Sequence, residues 1–297
     1  MERRAFGRTG MEVSALGFGS AEIGYAHTGA EAARALLLPA LDAGLNVLDT
    51  AACYGNGEEL FGEVASRRGD FFLFTKCGHA AGLPLPDWDP RMLEQSVDRS
   101  LRRMRTDHLD LLQLHGCSEQ LLRQGDVIDV LRRAKEAGKT RFIGYSGDGA
   151  KALYAVRCGA FDSLQTSVNI ADQESIDLLL PEARARGMGV IAKRPIANAA
   201  WRTGRRPESG YHHAYWDRLQ ALDYDFLRGD VAGAVAIALR FTLSTPGVCT
   251  AIVGTTNPGR WAENAAAVAR GPLEPEVYEA IRMRWRQVAR PDWVGQG

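Results

Sequence analysis

Four polar residues of complementary chemistry close three short apolar runs of the sequence. Asp49 and Tyr54 close the first run, Lys76 the second and His115 the third. A phenol is a poor acid at neutral pH, with a pKa of about 10, and a nearby ammonium lowers that value. We therefore expect Lys76 to lower the pKa of Tyr54, and Asp49 to keep Lys76 charged. A neutral His115 can donate a hydrogen bond to a carbonyl oxygen, which together with a proton donor predicts carbonyl reduction.

Each of these residues also has an ordinary structural interpretation. A loop tyrosine such as Tyr54 usually packs against the surface, and a strand-end residue such as Asp49 often caps the next helix. Lys76 is compatible with a solvated charge, and His115 with a hydrogen-bonded core histidine. The catalytic interpretation therefore depends on a fold that brings three strand ends together.

The rest of the chain predicts such a fold. Short β-rich runs alternate with segments of helical periodicity, which is typical of a parallel sheet. Eight such units favour a closed α/β (β/α)8 TIM barrel over an open doubly wound sheet, and the carboxyl ends of barrel strands form one functional face. The predicted strands are Ala15–Gly19, Asn46–Thr50, Phe71–Lys76, Leu109–His115, Phe142–Ser146, Ser163–Ser167, Gly189–Lys193 and Thr250–Gly254.

Three segments lie outside the regular alternation. Residues 1–13 contain turn signals and predict a β-hairpin cap at the bottom of the barrel. The polar, aromatic-rich segment from Ile196 to about Asp230 predicts a long insertion that shapes access to the site. Residues Pro275–Arg290 predict an extra C-terminal helix. Among the regular helices, Glu174–Arg186 is predicted as one continuous helix that ends at Gly187.

Composition narrows the kinds of partner. The chain has 297 residues, which we interpret as one barrel domain (1–297). It carries 36 basic and 36 acidic residues, so no net charge attracts it to nucleic acid or to an anionic membrane. The five cysteines form no C-x-x-C pair, and no apolar run approaches the roughly 20 residues of a membrane span. With no secretory signal either, we expect a cytoplasmic protein that binds a small molecule, with an oligomeric state that the sequence leaves open.

The order and context of these residues resemble the aldo-keto reductase family. Phe6–Gly10 and Leu16–Gly19 resemble its opening segment, and Leu48–Ala51 with Tyr54 and Gly55 is similar to its best-known signature. The resemblance covers nearly the whole chain. It implies reduction of an aldehyde or ketone to an alcohol with a nicotinamide cofactor, with Tyr54 as proton donor and the other three residues in the roles described above.

The resemblance also implies how the adenosine end of the cofactor is held. A strand leads into a helix at residues 250–258, and main-chain N–H groups there, with Thr255 and Asn257, suit a phosphate. Arg260 suits the 2′-phosphate or stacking on adenine. We therefore expect NADP(H) to be the preferred cofactor. Gly254 stands where some family members carry a phosphate-binding lysine, which weakens that preference, so we expect NAD(H) to be a second cofactor. The implied contact residues are Gly254, Thr255, Asn257, Arg260, Glu263 and Asn264.

At the nicotinamide end, Ser146 and Gln165 match family positions that hydrogen-bond the carboxamide, and Asn169 is a further candidate. Gly147 replaces the asparagine that usually follows the serine. After the seventh barrel strand, a Lys-Arg-Pro-Ile run stands where many members have an aromatic residue followed by Ser-Pro-Leu. The ring stack on nicotinamide is therefore missing, and we expect Arg194 to contact the pyrophosphate instead.

A second glycine-rich stretch does not predict a Rossmann site. Gly17 and Gly19 follow a strand and precede a helix, but Glu22 occupies the position of the third glycine in the pattern G-x-G-x-x-G.

Two other function classes compete with the reductase interpretation. A catalytically weak nicotinamide-binding regulatory subunit is the main alternative, because a fold does not by itself imply activity. A metal-dependent hydrolase would need grouped His and carboxylate ligands, and the six histidines show no grouping beyond the pair His212 and His213, so no metal is expected. Aromatic residues such as Tyr25, Trp88, Trp201, Tyr211, Tyr215 and Trp216 suit either a pocket or packing on the barrel, so the choice among sugar, aliphatic and aromatic carbonyls stays open.

Overall fold

The computed structural model describes residues 1–296 and contains a closed barrel of eight parallel strands. Around the barrel the strands follow one another in chain order, and the last pairs with the first to close the sheet. The predicted (β/α)8 fold is therefore confirmed. The hairpin strands are β1 (Arg3–Ala5) and β2 (Glu12–Ser14), and the barrel strands are β3 (Leu16–Gly19), β4 (Val47–Asp49), β5 (Phe72–Cys77), β6 (Leu109–His115), β7 (Thr140–Ser146), β8 (Ser163–Ser167), β9 (Gly189–Lys193) and β10 (Thr250–Val253).

Helices connect successive strands and form the outer layer. The last of them follows the eighth barrel unit, as predicted. No helix within residues 1–296 is long and apolar enough to cross a membrane. The helices are α1 (Ala21–Tyr25), α2 (Ala30–Asp42), α3 (Gly57–Gly62), α4 (Pro90–Arg103), α5 (Glu119–Gln124), α6 (Asp126–Glu136), α7 (Gly149–Arg157), α8 (Glu174–Leu178), α9 (Leu180–Ala185), α10 (His213–Leu222), α11 (Val231–Ser244), α12 (Pro258–Ala269) and α13 (Pro275–Val288).

The N-terminal hairpin closes the amino-terminal end of the barrel. Strands β1 and β2 pair antiparallel, and the turn between them carries Phe6, which is fully buried. The Phe6 ring centroid lies 5.6 Å from that of Phe74 on β5. Gly189, the first residue of β9, leaves room for the ring, because a Cβ at that position would come within 2.6 Å of Phe6. The predicted hairpin cap is confirmed.

The alternation of side chains along the strands separates an apolar layer from a polar one. Val47, Phe74 and Leu111 lie in the buried apolar cluster that contains Phe6. A residue two positions further along a strand points to the same side. The polar side chains of the functional face therefore follow directly above this layer on β4, β5 and β6: Asp49, Lys76 and Gln113.

The prediction of one continuous helix between β8 and β9 is wrong. The sequence predicts a single helix over Glu174–Arg186, but the structure has two, α8 and α9, which meet at Leu179. Pro181 explains the break, because proline donates no backbone hydrogen bond and fits only the first turn of a helix. A new helix therefore begins at Leu180.

The long segment after β9 is largely structured. It contains α10 and three short 3₁₀ turns. Trp201 and Tyr215 are only 6% and 1% exposed and belong to a second buried apolar cluster. Tyr211 is 59% exposed. The structure thus assigns the first two aromatic residues to packing and leaves Tyr211 at the surface.

We expect Phe6→Ala to lower the free energy of unfolding by about 3–5 kcal/mol, because it removes a fully buried ring and leaves a cavity under the barrel. Urea unfolding measures the change. Phe6→Leu is the matched control, since it keeps most of the apolar volume and should cost less than half as much. Equal losses in the two variants would show that the ring does not plug the barrel.

Candidate active site

A buried ion pair lies at the centre of the functional face. The Lys76 ammonium lies 2.5 Å from Asp49 Oδ1 and donates a second hydrogen bond, 2.7 Å long, to the main-chain oxygen of Thr50. The two charged side chains are only 2% and 1% exposed. Burial raises the pKa of Asp49, and the Lys76 ammonium opposes that rise. The two residues that the sequence predicts to interact are therefore in direct contact.

Two amide side chains complete the surroundings of Asp49. Gln165 Nε2 and Gln113 Nε2 donate to Asp49 Oδ2 over 3.2 and 3.4 Å. Ser146 donates from its hydroxyl to Gln165 Oε1 over 2.9 Å. One carboxylate at the end of β4 thus links side chains from β5, β6, β7 and β8, which spans half of the barrel.

Tyr54 and His115 face each other beside this ion pair. The Tyr54 hydroxyl lies 3.3 Å from His115 Nε2, and the two rings are in an edge contact with centroids 5.5 Å apart. On the other side of the imidazole, Cys53 Sγ lies 3.5 Å from Nδ1. The structure therefore brings together all four residues predicted to be catalytic.

The electrostatics of His115 agree with the predicted neutral imidazole. Burial, reinforced by the ammonium groups of Lys76 and Lys193, holds the pKa of His115 well below its ordinary value. Burial also raises the pKa of Cys53, so its thiol stays protonated and can donate to Nδ1. The imidazole proton then lies on Nε2, the nitrogen that faces Tyr54.

The expected effect of Lys76 on Tyr54 is not what the structure shows. The Lys76 ammonium lies over the Tyr54 ring, 5.2 Å from its centroid, and donates hydrogen bonds to Asp49 and Thr50. Burial, together with the negative charge of Asp49, raises the pKa of Tyr54 well above its ordinary value. In the free site the pKa of Tyr54 is thus shifted upward instead of downward, and its role as a proton donor stays a prediction.

The nicotinamide end offers groups that fit a carboxamide. A carboxamide needs one hydrogen-bond acceptor and one donor. The hydroxyl oxygen of Ser146 and Gln165 Oε1 retain lone pairs that can accept an amide N–H. Asn169 follows β8 and is fully buried, and its Nδ2 has no hydrogen-bond partner within residues 1–296. This amide nitrogen can therefore supply a hydrogen-bond donor.

The residues that replace the family's aromatic run are engaged in other contacts. Lys193 forms an ion pair with Asp148 at 2.8 Å. Burial alone would raise the pKa of Asp148, but the Lys193 ammonium lowers it. Arg194 donates to the Tyr211 hydroxyl over 2.9 Å and to Ser167 over 3.1 Å, and it also bonds the main-chain oxygen of Gln296. Arg194 therefore lies at the strand end as expected, and its contact with a pyrophosphate stays a prediction.

The adenosine end has the predicted strand-to-helix turn. Thr255 is 3% exposed, and its Oγ1 accepts from the main-chain nitrogen of Asn257 over 3.0 Å. Asn257 caps α12 by accepting from Gly259 N over 2.9 Å. Arg260 and Glu263 are exposed on α12, whereas Asn264 is 6% exposed and faces the barrel. The roles of Gly254 and of these residues in binding adenosine phosphate stay predictions.

Aromatic rings surround the catalytic pair at the mouth of the barrel. The Tyr25 ring, 60% exposed, lies 5.6 Å from Tyr54, and the His79 ring lies 5.4 Å from His115. Trp88 contacts His79 at 5.5 Å. Within residues 1–296, no group of three His, Cys, Asp or Glu side chains is placed to hold a metal ion. The rings of Tyr25, His79 and Trp88 thus flank the catalytic pair at the mouth.

Comparison with known proteins identifies the family. A model of the aldo/keto reductase family matches residues 15–285. The chain belongs to the aldo/keto reductase family. L-galactose dehydrogenase from Arabidopsis thaliana is 30% identical over 288 residues, which cover 90% of this chain and 88% of that protein. 6-Dehydroglucose reductase from Novosphingobium aromaticivorans is 29% identical over 309 residues, covering 98% and 92%.

Solved structures agree with this assignment. An aldo-keto reductase from Bacillus halodurans, solved in its holo form, superposes with a TM-score of 0.80 at 27% identity and covers 96% of both chains. This aldo/keto reductase is therefore an oxidoreductase of the class that reduces small carbonyl compounds with a nicotinamide cofactor.

Sequence reasoning missed three residues next to the catalytic centre of this aldo/keto reductase. Gln113 donates to Asp49, Cys53 contacts His115, and the His79 ring packs on His115. The position of Gln113, two residues before His115 on β6, was a usable signal, because side chains alternate along a strand. The other two lie on loops, whose course depends on tertiary packing.

We expect His115 to destabilise the protein as the pH falls from about 7.5 to about 5.5. The unfolded chain takes up a proton on this imidazole near pH 6.5, whereas the folded chain does not, so stability is lost below the unfolded pKa. Relative to His115→Gln, wild type should lose about 1.4 kcal/mol of unfolding free energy over that interval, measured by urea unfolding at both pH values. His27→Asn, at an exposed turn, is the control and should keep the wild-type slope. A wild-type slope in His115→Gln would show that the folded imidazole does become protonated.

Proposed function

We propose that this aldo/keto reductase interconverts a carbonyl group and an alcohol on a sugar-type substrate, with Tyr54 as the proton donor in the reducing direction and NADP(H) as the preferred cofactor. The observation that carries the proposal is the contact of the Tyr54 hydroxyl with the His115 imidazole, 3.3 Å apart, beside a buried Lys–Asp pair.

Tyr54 and His115 can bind one carbonyl oxygen between them. With the imidazole proton on Nε2, His115 donates to the Tyr54 oxygen in the free site and can turn that donation to a substrate oxygen. The Tyr54 proton is then directed at the same oxygen. Two donors on one oxygen polarise the carbonyl and stabilise the negative charge that forms as it is reduced.

The raised pKa of Tyr54 suits this role. A proton donor must carry its proton at the working pH, and burial keeps the phenol in that form. When bound, a reduced nicotinamide supplies the hydride that the carbonyl carbon accepts. Tyr54 gives its proton to the oxygen, so that an alcohol results, and the adjacent Lys76 ammonium stabilises the phenolate left behind.

Ser146, Gln165 and Asn169 are proposed to hold the carboxamide. Gln165 donates to Asp49 over 3.2 Å, and Ser146 donates in turn to Gln165 over 2.9 Å. A ring anchored through these residues is positioned by the same network that fixes Lys76. Cofactor position and proton donor thereby share one rigid support.

A sugar is the substrate class that the relatives and the mouth of the barrel favour. Two relatives are named for sugar substrates, L-galactose and 6-dehydroglucose. In this chain the exposed ring of Tyr25 flanks Tyr54, and the His79 imidazole flanks His115. An aromatic face packs against the C–H groups of a sugar, while polar ring edges bind its hydroxyls.

Replacing Tyr54 with phenylalanine should reduce kcat/KM for carbonyl reduction by about 10²- to 10⁴-fold, because the proton donor is lost while the ring is kept. The assay follows NADPH and NADH absorbance with sugar, aliphatic and aromatic carbonyls. Nucleotide affinity, measured by quenching of tryptophan fluorescence, should be unchanged. Tyr278→Phe is the control, because Tyr278 lies on α13, stacks on Phe241 and is not among the residues proposed to contact cofactor or substrate.

Undiminished turnover in Tyr54→Phe would refute the mechanism. Wild-type protein that binds nucleotide but reduces none of the carbonyls would instead support a nicotinamide-binding regulatory subunit. A preference for aliphatic or aromatic carbonyls over sugars would refute the substrate class alone.

Arg260→Ala should weaken binding of NADP⁺ by about tenfold and leave binding of NAD⁺ nearly unchanged, because only the former carries a 2′-phosphate for the guanidinium. Isothermal titration with the two oxidised nucleotides measures both affinities. Arg286→Ala, on α13, is the matched control. An equal loss for both nucleotides would assign Arg260 to adenine stacking instead of phosphate binding.

A further inference from the structure

Glu22 places a carboxylate beside the residues proposed to hold the adenosine phosphate. It lies in α1, directly after β3, and β3 pairs with β10 with Phe18 opposite Val253. The residue that follows Val253 is Gly254, so the first and eighth units of the barrel meet where Glu22 and Gly254 lie.

The contact between Glu22 and Gly254 is close. A Cβ built on Gly254 would lie 3.5 Å from Glu22 Cγ and 3.6 Å from Glu22 Cβ. It would also lie 2.8 Å from the main-chain oxygen of Gly19, closer than real Cβ contacts allow. The Gly19 carbonyl therefore explains why position 254 is a glycine, and the stem of Glu22 lies within van der Waals reach of the point where a side chain at 254 would begin.

The charges at this corner oppose one another. Glu22 is exposed at the surface; partial desolvation raises the pKa of its carboxyl, and the guanidinium groups of Arg260 and Arg202 oppose that rise. Within residues 1–296, Glu22 forms no ion pair shorter than 4 Å with either arginine, so its carboxylate is not neutralised by direct contact. Family members with a lysine at position 254 carry a positive charge here, whereas this chain has a glycine and a negative charge.

We propose that Glu22 is a specificity-determining residue for the cofactor, which weakens binding of a 2′-phosphate and allows NAD(H) to be used beside NADP(H). The inference depends on the proposed function, because it concerns the same nucleotide site. A carboxylate accepts a hydrogen bond from a ribose 2′-hydroxyl but repels a 2′-phosphate. Arg260 acts in the opposite direction, and the preference for NADP(H) is the difference between the two effects.

Glu22→Gln tests the proposal, since it removes the charge and keeps the size of the side chain. Isothermal titration with 2′,5′-ADP and 5′-AMP isolates the adenosine end, and titrations with NADP⁺ and NAD⁺ measure the whole nucleotide. We expect affinity for NADP⁺ and 2′,5′-ADP to rise by about tenfold while affinity for NAD⁺ and 5′-AMP stays constant or falls. The gain should shrink at high salt, because the repulsion is screened. Glu136→Gln, on the exposed surface of α6, is the matched control and should change none of the four affinities.

Rescue by aspartate adds a second measurement. Glu22→Asp keeps the charge and should retain the wild-type ratio of affinities more closely than Glu22→Gln. Equal changes for all four ligands in Glu22→Gln, or no change in any, would refute the role of Glu22. Wild-type protein that binds none of the nucleotides would refute the proposed function and this inference together. Wild-type protein that binds them without turnover would refute only the reductase activity and leave the affinity ratios as the test of Glu22.

Discussion

The buried ion pair of Lys76 and Asp49 is the interaction on which the functional face depends. Burying either charge alone would cost desolvation free energy, which the opposite charge and further hydrogen bonds offset. Gln113, Gln165 and the Thr50 carbonyl provide those bonds, and through Gln165 the pair also fixes Ser146. A single carboxylate thus couples the proton donor's surroundings to the groups proposed to hold the nicotinamide, and displacing either charge would disturb both.

The surrounding charges also decide the character of Tyr54. An isolated ammonium beside a phenol favours the phenolate, but here the negative charge of Asp49 acts on the same phenol in the opposite direction. Burial then dominates, the phenol keeps its proton, and the neighbouring imidazole stays neutral for the same reason. Proton donation is therefore driven by the charge that develops on the substrate oxygen, and the ion pair becomes important once the proton has left.

Much of the fold follows from local patterns. Eight β-rich runs, glycine-terminated helices and the turn signals of the N-terminal hairpin are short-range features, and all eight predicted barrel strands occur within about two residues of their expected bounds. The break between α8 and α9 was missed because helical periodicity outweighed Pro181, although the local effect of proline was readable. The burial of Trp201 and Tyr215 and the exposure of Tyr211 could not be predicted from the sequence. Whether an aromatic residue in a loop is buried depends on the surface against which the loop packs.

The sequence by itself determined the set of catalytic groups and the order in which barrel strands present them, because strand ends in a closed parallel barrel necessarily meet on one face. Only the tertiary structure decided how these groups act on one another. It placed the ammonium against Asp49 instead of the phenol hydroxyl, added Gln113 and Cys53 to the catalytic surroundings, and set Glu22 against Gly254 across the barrel closure. These outcomes depend on distances between residues far apart in the chain, and electrostatic interactions in a buried site change sign or strength with such distances and with the partners already engaged.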